Sequence, residues 1–237
     1  MTIGYDNLAL HHSLCLNISM DEWSAGATYL THDLSKVHHM FTVHGATWGT
    51  IAASGQPYLS LDGLNDYLEC GAAASADLNV TTEDMTCLMW INPVIGASAA
   101  LLLNQGVVDV DGFEFFLFTT NLSFRLNQGG DHTDISAVGC LTAGVWQLVS
   151  VTRSGANGQF YINGQPVATL GSGGLADAVS CAGGNKLLVG IQNDEVSLLY
   201  GGLIGGGLRG PRIWFGKALA AAEEARIFEY ERHWFGV

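Results

Sequence analysis

The stretch VWQLVSVTRSGANGQFYINGQPVATL, residues 145–170, sets the pattern for most of the chain. Polar and apolar positions alternate through WQLVSVTR, the mark of a half-buried strand. GANG then reads as a turn, QFYI as the next strand, and Asn163-Gly164 as a hairpin turn between QFYI and a third strand. The run MTCLMWINPV (85–94) is almost wholly apolar and ends near Pro93. GFEFFLFTTNLSFRLNQGG (112–130) predicts two strands around a turn near Thr120–Asn121, and KLLVGIQ (186–192) and GPRIWFG (210–216) predict two more. The glycine-rich YGGLIGGGLRGP (200–211) reads as a loop or strained strand inside the domain.

One segment carries helical spacing. ALAAAEEARIFEYERHWFG predicts a C-terminal helix over about 218–235, with Leu219, Ala222, Arg226, Ile227, Tyr230 and Trp234 as its buried stripe and Gly236 as its stop. Glu223 and Glu224 fall near its N-terminus, where the helix dipole favours acids. Many short strands with one late helix imply an all-β fold, an antiparallel β-sandwich. No linker, repeat or charge block divides residues 1–237, so a single domain is expected.

Composition changes the picture in three ways. Only 13% of the 237 residues are charged while 48% are hydrophobic, which argues against disorder and for some apolar surface reserved for a partner. The net charge of −13 would repel a phosphate backbone, so nucleic acid is set aside as a partner. No run of about twenty apolar residues occurs, so no membrane span is expected. The five cysteines sit in or beside apolar runs without CxxC spacing, and buried free thiols are expected rather than a zinc site or disulfides.

Five segments in order resemble the laminin-G-like, concanavalin A-like jelly-roll family. LSLDGLNDYLECG resembles its Phe-Asp-Gly-x-Asn-Asp-Tyr-Val segment. MTCLMWINP is similar to its strand with a central Trp, GVWQLVSVTRSGANGQFYINGQPV to its hairpin ending in Asn-Gly, and GPRIWFGKALAAAEEARIF to its closing strand and helix start. LNISMDEWSAGATYLTHDLSKVHHMFTVHGATW resembles its opening. The resemblance implies a jelly-roll sandwich in which Asp62–Asp66 form a tight hairpin between core strands, with Gly63 at positive φ and Tyr67 pointing into the sandwich. It also raises calcium, which many members bind on rim loops. The family's acidic pair before the closing strand is replaced here by GGLRGPRIW, which leaves Asp109 and Asp111 in VVDVDGF as the metal candidates. Two apart on an extended chain, they would point the same way.

Some relatives of this fold are glucanases using a Glu-x-Asp-x-x-Glu strand. DVDGFE is a near match that would make Asp109 and Glu114 a retaining pair, but Gly112 interrupts it as in a turn, and no catalytic residue is assigned. Six histidines precede residue 45; His11, His12, His32, His38, His39 and His44 read as loop and surface residues. Trp90, Trp146, Trp214 and Trp234 read as core, and Trp23, in a loop, is the glycan-binding candidate.

The function expected from this reading is a non-catalytic structural or adhesion module. A virion surface component (a phage decoration, fibre or tail protein) is the favoured setting. It would be made in the cytoplasm without a signal peptide and would have copies of itself or capsid or tail proteins as partners, with possible glycan binding. A stand-alone lectin-like domain, calcium-dependent or not, is the alternative, and a β-glucanase-like hydrolase a third reading.

Overall fold

The computed structural model describes residues 13–20, 29–96, 99–191 and 205–237. In chain order the strands are β1 (Leu14–Asn17), β2 (Tyr29–His32), β3 (Met40–His44), β4 (Thr47–Thr50), β5 (Pro57–Asp62), β6 (Tyr67–Cys70), β7 (Met85–Val94) and β8 (Ala99–Gln105). There follow β9 (Phe113–Phe118), β10 (Asn121–Asn127), β11 (His132–Ala137), β12 (Gln147–Ser154), β13 (Asn157–Ile162), β14 (Gln165–Val167), β15 (Leu187–Val189) and β16 (Gly205–Phe215). Helix α1 spans Ala221–Phe235. Two antiparallel sheets result. One runs β14-β13-β12-β7-β16-β5-β4 with β1 added beside β16; the other runs β11-β10-β9-β8-β15-β6-β3-β2. The fold is the antiparallel β-sandwich with one C-terminal helix that the sequence pattern predicts.

The alternating inward positions of both sheets meet in one core. Phe41, Leu59, Leu68, Met89, Phe113, Phe115, Phe124, Val149, Val151 and Phe160 all belong to it. β7 is nearly unbroken in hydrophobicity because both of its faces are covered. Cys87 and Met89 enter the sandwich, while Leu88 and Trp90 face outward under α1, where Trp90 stacks on Phe235 at 3.8 Å between ring centroids. The smaller cluster between sheet and helix also holds Leu14, Trp214 and Ile227, with Trp146 and Trp234 half-buried at its margin. Those two tryptophans line the helix–sheet seam rather than the sandwich interior. All five cysteines are unpaired. Burial pushes the Cys70 thiol up to about 11 and Cys181 to about 12, so neither is a nucleophile near neutral pH.

The glycine-rich segment is a strand from Gly205 onward, while 200–204 lie outside the described residues. β16 pairs on one side with β7 and on the other first with β5. It passes directly beneath Trp146, whose ring would lie 2.7 Å from a Cβ at Gly207, so only glycine fits there.

The Asp62–Asp66 turn differs from its expectation in one respect. It carries the chain from one sheet to the other instead of joining paired neighbours, since β5 lies beside β16 and β6 beside β3 and β15. Its chemistry is that of a turn. Gly63 has φ +75°, Asp62 Oδ1 accepts from the amides of Leu64 and Asn65, and Asp66 Oδ2 accepts from the Asp62 amide. Tyr67 points out of the sandwich, not into it. Leu68 and Cys70 take the inward positions of β6, so strict alternation sends Tyr67 outward, where it stacks on His44 at 4.3 Å.

Helix α1 starts three residues later than predicted. The Ala220 amide donates to Glu223 Oε2, and the helix stops at Gly236, φ +73°, whose amide returns to Arg232 O. Its buried stripe is Glu224, Ile227, Glu231 and Phe235, leaving Ala222, Arg226 and Tyr230 exposed. The expected stripe is displaced because two of the buried positions are glutamates.

Candidate functional site

The metal and hydrolase candidates have separate partners. Residues Val107–Asp111 form a helical turn, with the Asp111 amide donating to Val107 O, so Asp109 and Asp111 do not share a face as an extended chain would require. Asp111 is buried. Its Oδ1 accepts from the Val107 amide and Asn185 Nδ2, and its Oδ2 accepts from the Ala182 amide. Asp109, at φ +61°, turns out to solvent, where Oδ1 meets His132 Nδ1 at 2.5 Å. Asp111 is therefore a loop-closing residue. Among the described residues no group of three or more His, Cys, Asp or Glu side chains is placed to hold a metal ion. Glu114 is buried on the outer face of β9 beside Arg125, 3.4 Å away. Asp109 and Glu114 thus have different partners and do not form the pair that a retaining hydrolase needs.

The histidines also divide. His38 is exposed, but His39 is not a surface residue: it is buried between two carboxylates, Nδ1 to Asp33 Oδ2 at 2.7 Å and Nε2 to Asp77 Oδ1 at 2.9 Å. Adjacent residues face opposite ways, and the inward one found acids. Trp23, His11 and His12 lie outside the described residues.

The site that the fold does build lies on the outer face of the first sheet. β16 changes neighbours along one edge: β5 pairs with Gly205–Leu208, and β1 with Arg212–Trp214. Between them its register with β7 shifts at Arg209/Arg212, where Pro211 offers no amide to a ladder. The break leaves a gap beside the strand, and α1 roofs it. The resulting cleft holds about 390 Å³ and is lined, among the described residues, by Trp90, Arg209, Arg212, Tyr230, Glu231 and Trp234, with Asn17, Ser19, Lys36 and Gln56 at its polar side.

Electrostatics hold this cleft open. Arg212 and Glu231 meet at its floor, and Trp90 Nε1 donates to Glu231 Oε2 at 2.7 Å. Arg209 bridges the gap, donating to Pro57 O, to Met20 O at 3.3 Å and to Gln56 Oε1 at 3.1 Å. On the helix side Tyr230 and Trp234 stand edge to face at 5.7 Å, and Tyr230 is 46% exposed. Apolar aromatic walls with a few fixed polar groups are what a small polar ligand requires.

None of these residues stands out as a site in the sequence. The signal present is RGPR inside a strand-like run, a bulge mark flanked by two of only nine Lys and Arg residues.

The sequence profile of the Laminin_G_3 family, described as the concanavalin A-like lectin/glucanases superfamily, matches residues 62–221. The chain belongs to this family. No curated protein matches it. Among solved structures it is similar to the binding domain of paraclostridial mosquitocidal protein 1, with TM-score 0.69 and 17% identity over 95% of this chain and 56% of that one. It is also similar to the binding domain of botulinum neurotoxin DC in complex with rat synaptotagmin II (TM-score 0.65, 15% identity, 93% of this chain and 52% of that one). A third is a structure of botulinum neurotoxin type C, whose passage into cells depends on interaction with two ganglioside molecules (TM-score 0.65, 15% identity, 94% and 52%). The chain spans about half the length of these neighbours, and the likeness is one of fold.

Proposed function

We propose that the chain is a non-catalytic, lectin-like glycan-binding module whose saccharide site is the cleft between β16 and α1. The observation that carries this reading is the pairing of the Tyr230–Trp234 aromatic wall with Arg209 and Gln56, held by their mutual hydrogen bond, and with the polar Asn17, around one space of about 390 Å³. Sugar rings present an apolar C–H face to an aromatic ring and hydroxyls to the polar groups around it. Structural neighbours that are toxin binding domains, and one from a toxin whose entry into cells depends on two ganglioside molecules, support the class of function. The different partners of Asp109 and Glu114, His132 and Arg125, support a binding role over hydrolysis.

A virion-surface setting with capsid, tail or homo-oligomeric partners is a separate proposal, and it gains nothing from the cleft or the neighbours. A calcium requirement likewise has no support in the positions of Asp109 and Asp111.

The test is a glycan array read with and without chelator. Saccharide signal that falls on Tyr230→Ala supports the reading. Absence of signal under both conditions, or full retention in that variant, removes it.

A further inference from the structure

The segment DLSKVHHM (33–40), which runs from the end of β2 to the first residue of β3, is inside out. Asp33, Ser35 and His39 are buried, while Leu34, Val37 and Met40 are 49%, 48% and 51% exposed. Isolated exposed aliphatic residues are ordinary, but three within seven residues, over a polar interior, form a patch. From this arrangement we infer that the β2–β3 loop with the first residue of β3 is a membrane-contacting knob, which places Leu34, Val37 and Met40 in the interfacial layer of a lipid surface.

A lipid surface is favoured over a protein partner by the state of the backbone. Entry into a low-dielectric layer requires amides already bonded within the chain. The Asp33 carboxylate accepts from the amides of Ser35 at 2.7 Å and His39 at 3.2 Å, and from the Ser35 hydroxyl at 2.6 Å. Ser35 Oγ accepts from the Val37 amide, the Asp33 amide donates to His39 O, and the Leu34 amide donates to Asn17 O. Five of the seven amides from 33 to 39, all but those of Lys36 and His38, therefore give nothing up on leaving water. A protein partner could bond free amides itself and would not need this provision.

The charge at the tip agrees. Lys36 is exposed between Leu34 and Val37, and its long stem lets the ammonium reach phosphate while the neighbouring side chains go deeper. Leu34 and Lys36 also line the cleft, so a headgroup held there would be next to the knob. The inference stands apart from the saccharide reading, since plain phospholipid is sufficient for it.

The experiment is co-flotation of the chain with phosphatidylcholine vesicles at millimolar lipid, compared with a Val37→Ser/Met40→Ser variant that leaves the cleft-lining Leu34 in place. Flotation of the wild type, with at least a fivefold lower partition coefficient for the variant and an unchanged melting temperature, is the expected result. A Val37→Trp probe, with the other tryptophans as background, should gain a blue-shifted emission quenched by dibrominated phosphatidylcholine. A wild type that stays with the protein fraction, a variant that floats equally well, or a Val37→Trp emission that ignores the brominated lipid overturns the inference. Binding of soluble oligosaccharide by the double serine variant reports on the cleft separately.

Discussion

Arg212 and Glu231 face each other fork to fork, Nη1 to Oε1 and Nη2 to Oε2 both at 2.8 Å, with side chains only 4% and 2% exposed. The pair ties β16 to α1 across the cleft floor. Burying two charges repays its cost only while both are present. Arg212→Met is therefore expected to cost about 3–5 kcal/mol, and an Arg212→Met/Glu231→Leu double variant to recover much of it. Urea unfolding measures both. A single variant as stable as the wild type would contradict the account.

The exposed aromatic wall gives the second prediction. Tyr230→Ala removes ring surface from the cleft while leaving Ile227 and Phe235, the buried anchors of α1, in place. Saccharide affinity is expected to fall at least tenfold, or about 1.4 kcal/mol, with little change in the unfolding midpoint. Titration calorimetry with an array-positive glycan reads the first and urea unfolding the second.

Asp111 offers a sharper distinction between structural and metal roles. It closes the loops at 107 and 182–185 with charge-assisted hydrogen bonds, so Asp111→Ala should destabilise by about 2–4 kcal/mol. Asp109→Asn, on the exposed side of the same turn and equally tolerant of its φ of +61°, should change stability by less than about 0.5 kcal/mol. Melting curves with and without added calcium separate the alternatives. A wild-type shift that both variants abolish would restore the metal reading.

His39 links the β2–β3 loop to the 3₁₀ turn at Ala76–Leu78. Burial alone would lower its pKa, but hydrogen bonds with Asp33 and then Asp77 outweigh this and hold it above 6.5. Asp33 moves the other way: burial raises it, yet bonds from His39, Ser35 and Asn17 leave it below 3.8. The raised imidazole contributes stability that is complete below 6.5 and lost as pH rises through its folded value. The lowered carboxyl contributes stability that is complete above 3.8 and lost as pH falls. The melting-temperature difference between wild type and His39→Gln should thus be widest between those two values and shrink on the alkaline side. A difference that stays constant from about pH 5 to about pH 8.5 would refute it.

Where local pattern dictates structure, the sequence is informative. Asn163-Gly164 adopts φ of +51° and +71° between β13 and β14, as the dipeptide implies, and β7 and the β12–β13 hairpin lie where apolar runs and alternation put them. Pattern fails where a polar side chain is buried by a partner distant in sequence. Glu231 is inward because Arg212 and Trp90 wait for it, and His39 because Asp77 does; neither partner is local. The cleft is invisible for the same reason. It is assembled from residues near 18, 56, 210 and 231, which come together only because β16 exchanges β5 for β1 along one edge. Tyr67 shows the converse error, in which a family pattern overrides the simple alternation of Tyr67–Cys70.

Glu224 leaves a stability cost that pH should reveal. It lies fully buried on the inward face of α1, close to the Ser150 hydroxyl, yet neither carboxyl oxygen makes a well-formed hydrogen bond among the described residues, and neither does that hydroxyl. Burial pushes its pKa up to about 8, against the lowering influence of Ser150 and Arg212. The folded state therefore keeps a proton that the unfolded chain releases above 4.5, and stability falls as pH rises from there to about 8. Glu224→Gln has no such proton to lose. It should match or trail the wild type near the lower value and exceed it at the upper one by a few kcal/mol, roughly 5–10 °C in melting temperature. Because His39 titrates in both proteins, the difference between the two melting curves isolates Glu224. A difference independent of pH across that window would mean that the carboxyl is ionised in the fold and has a partner.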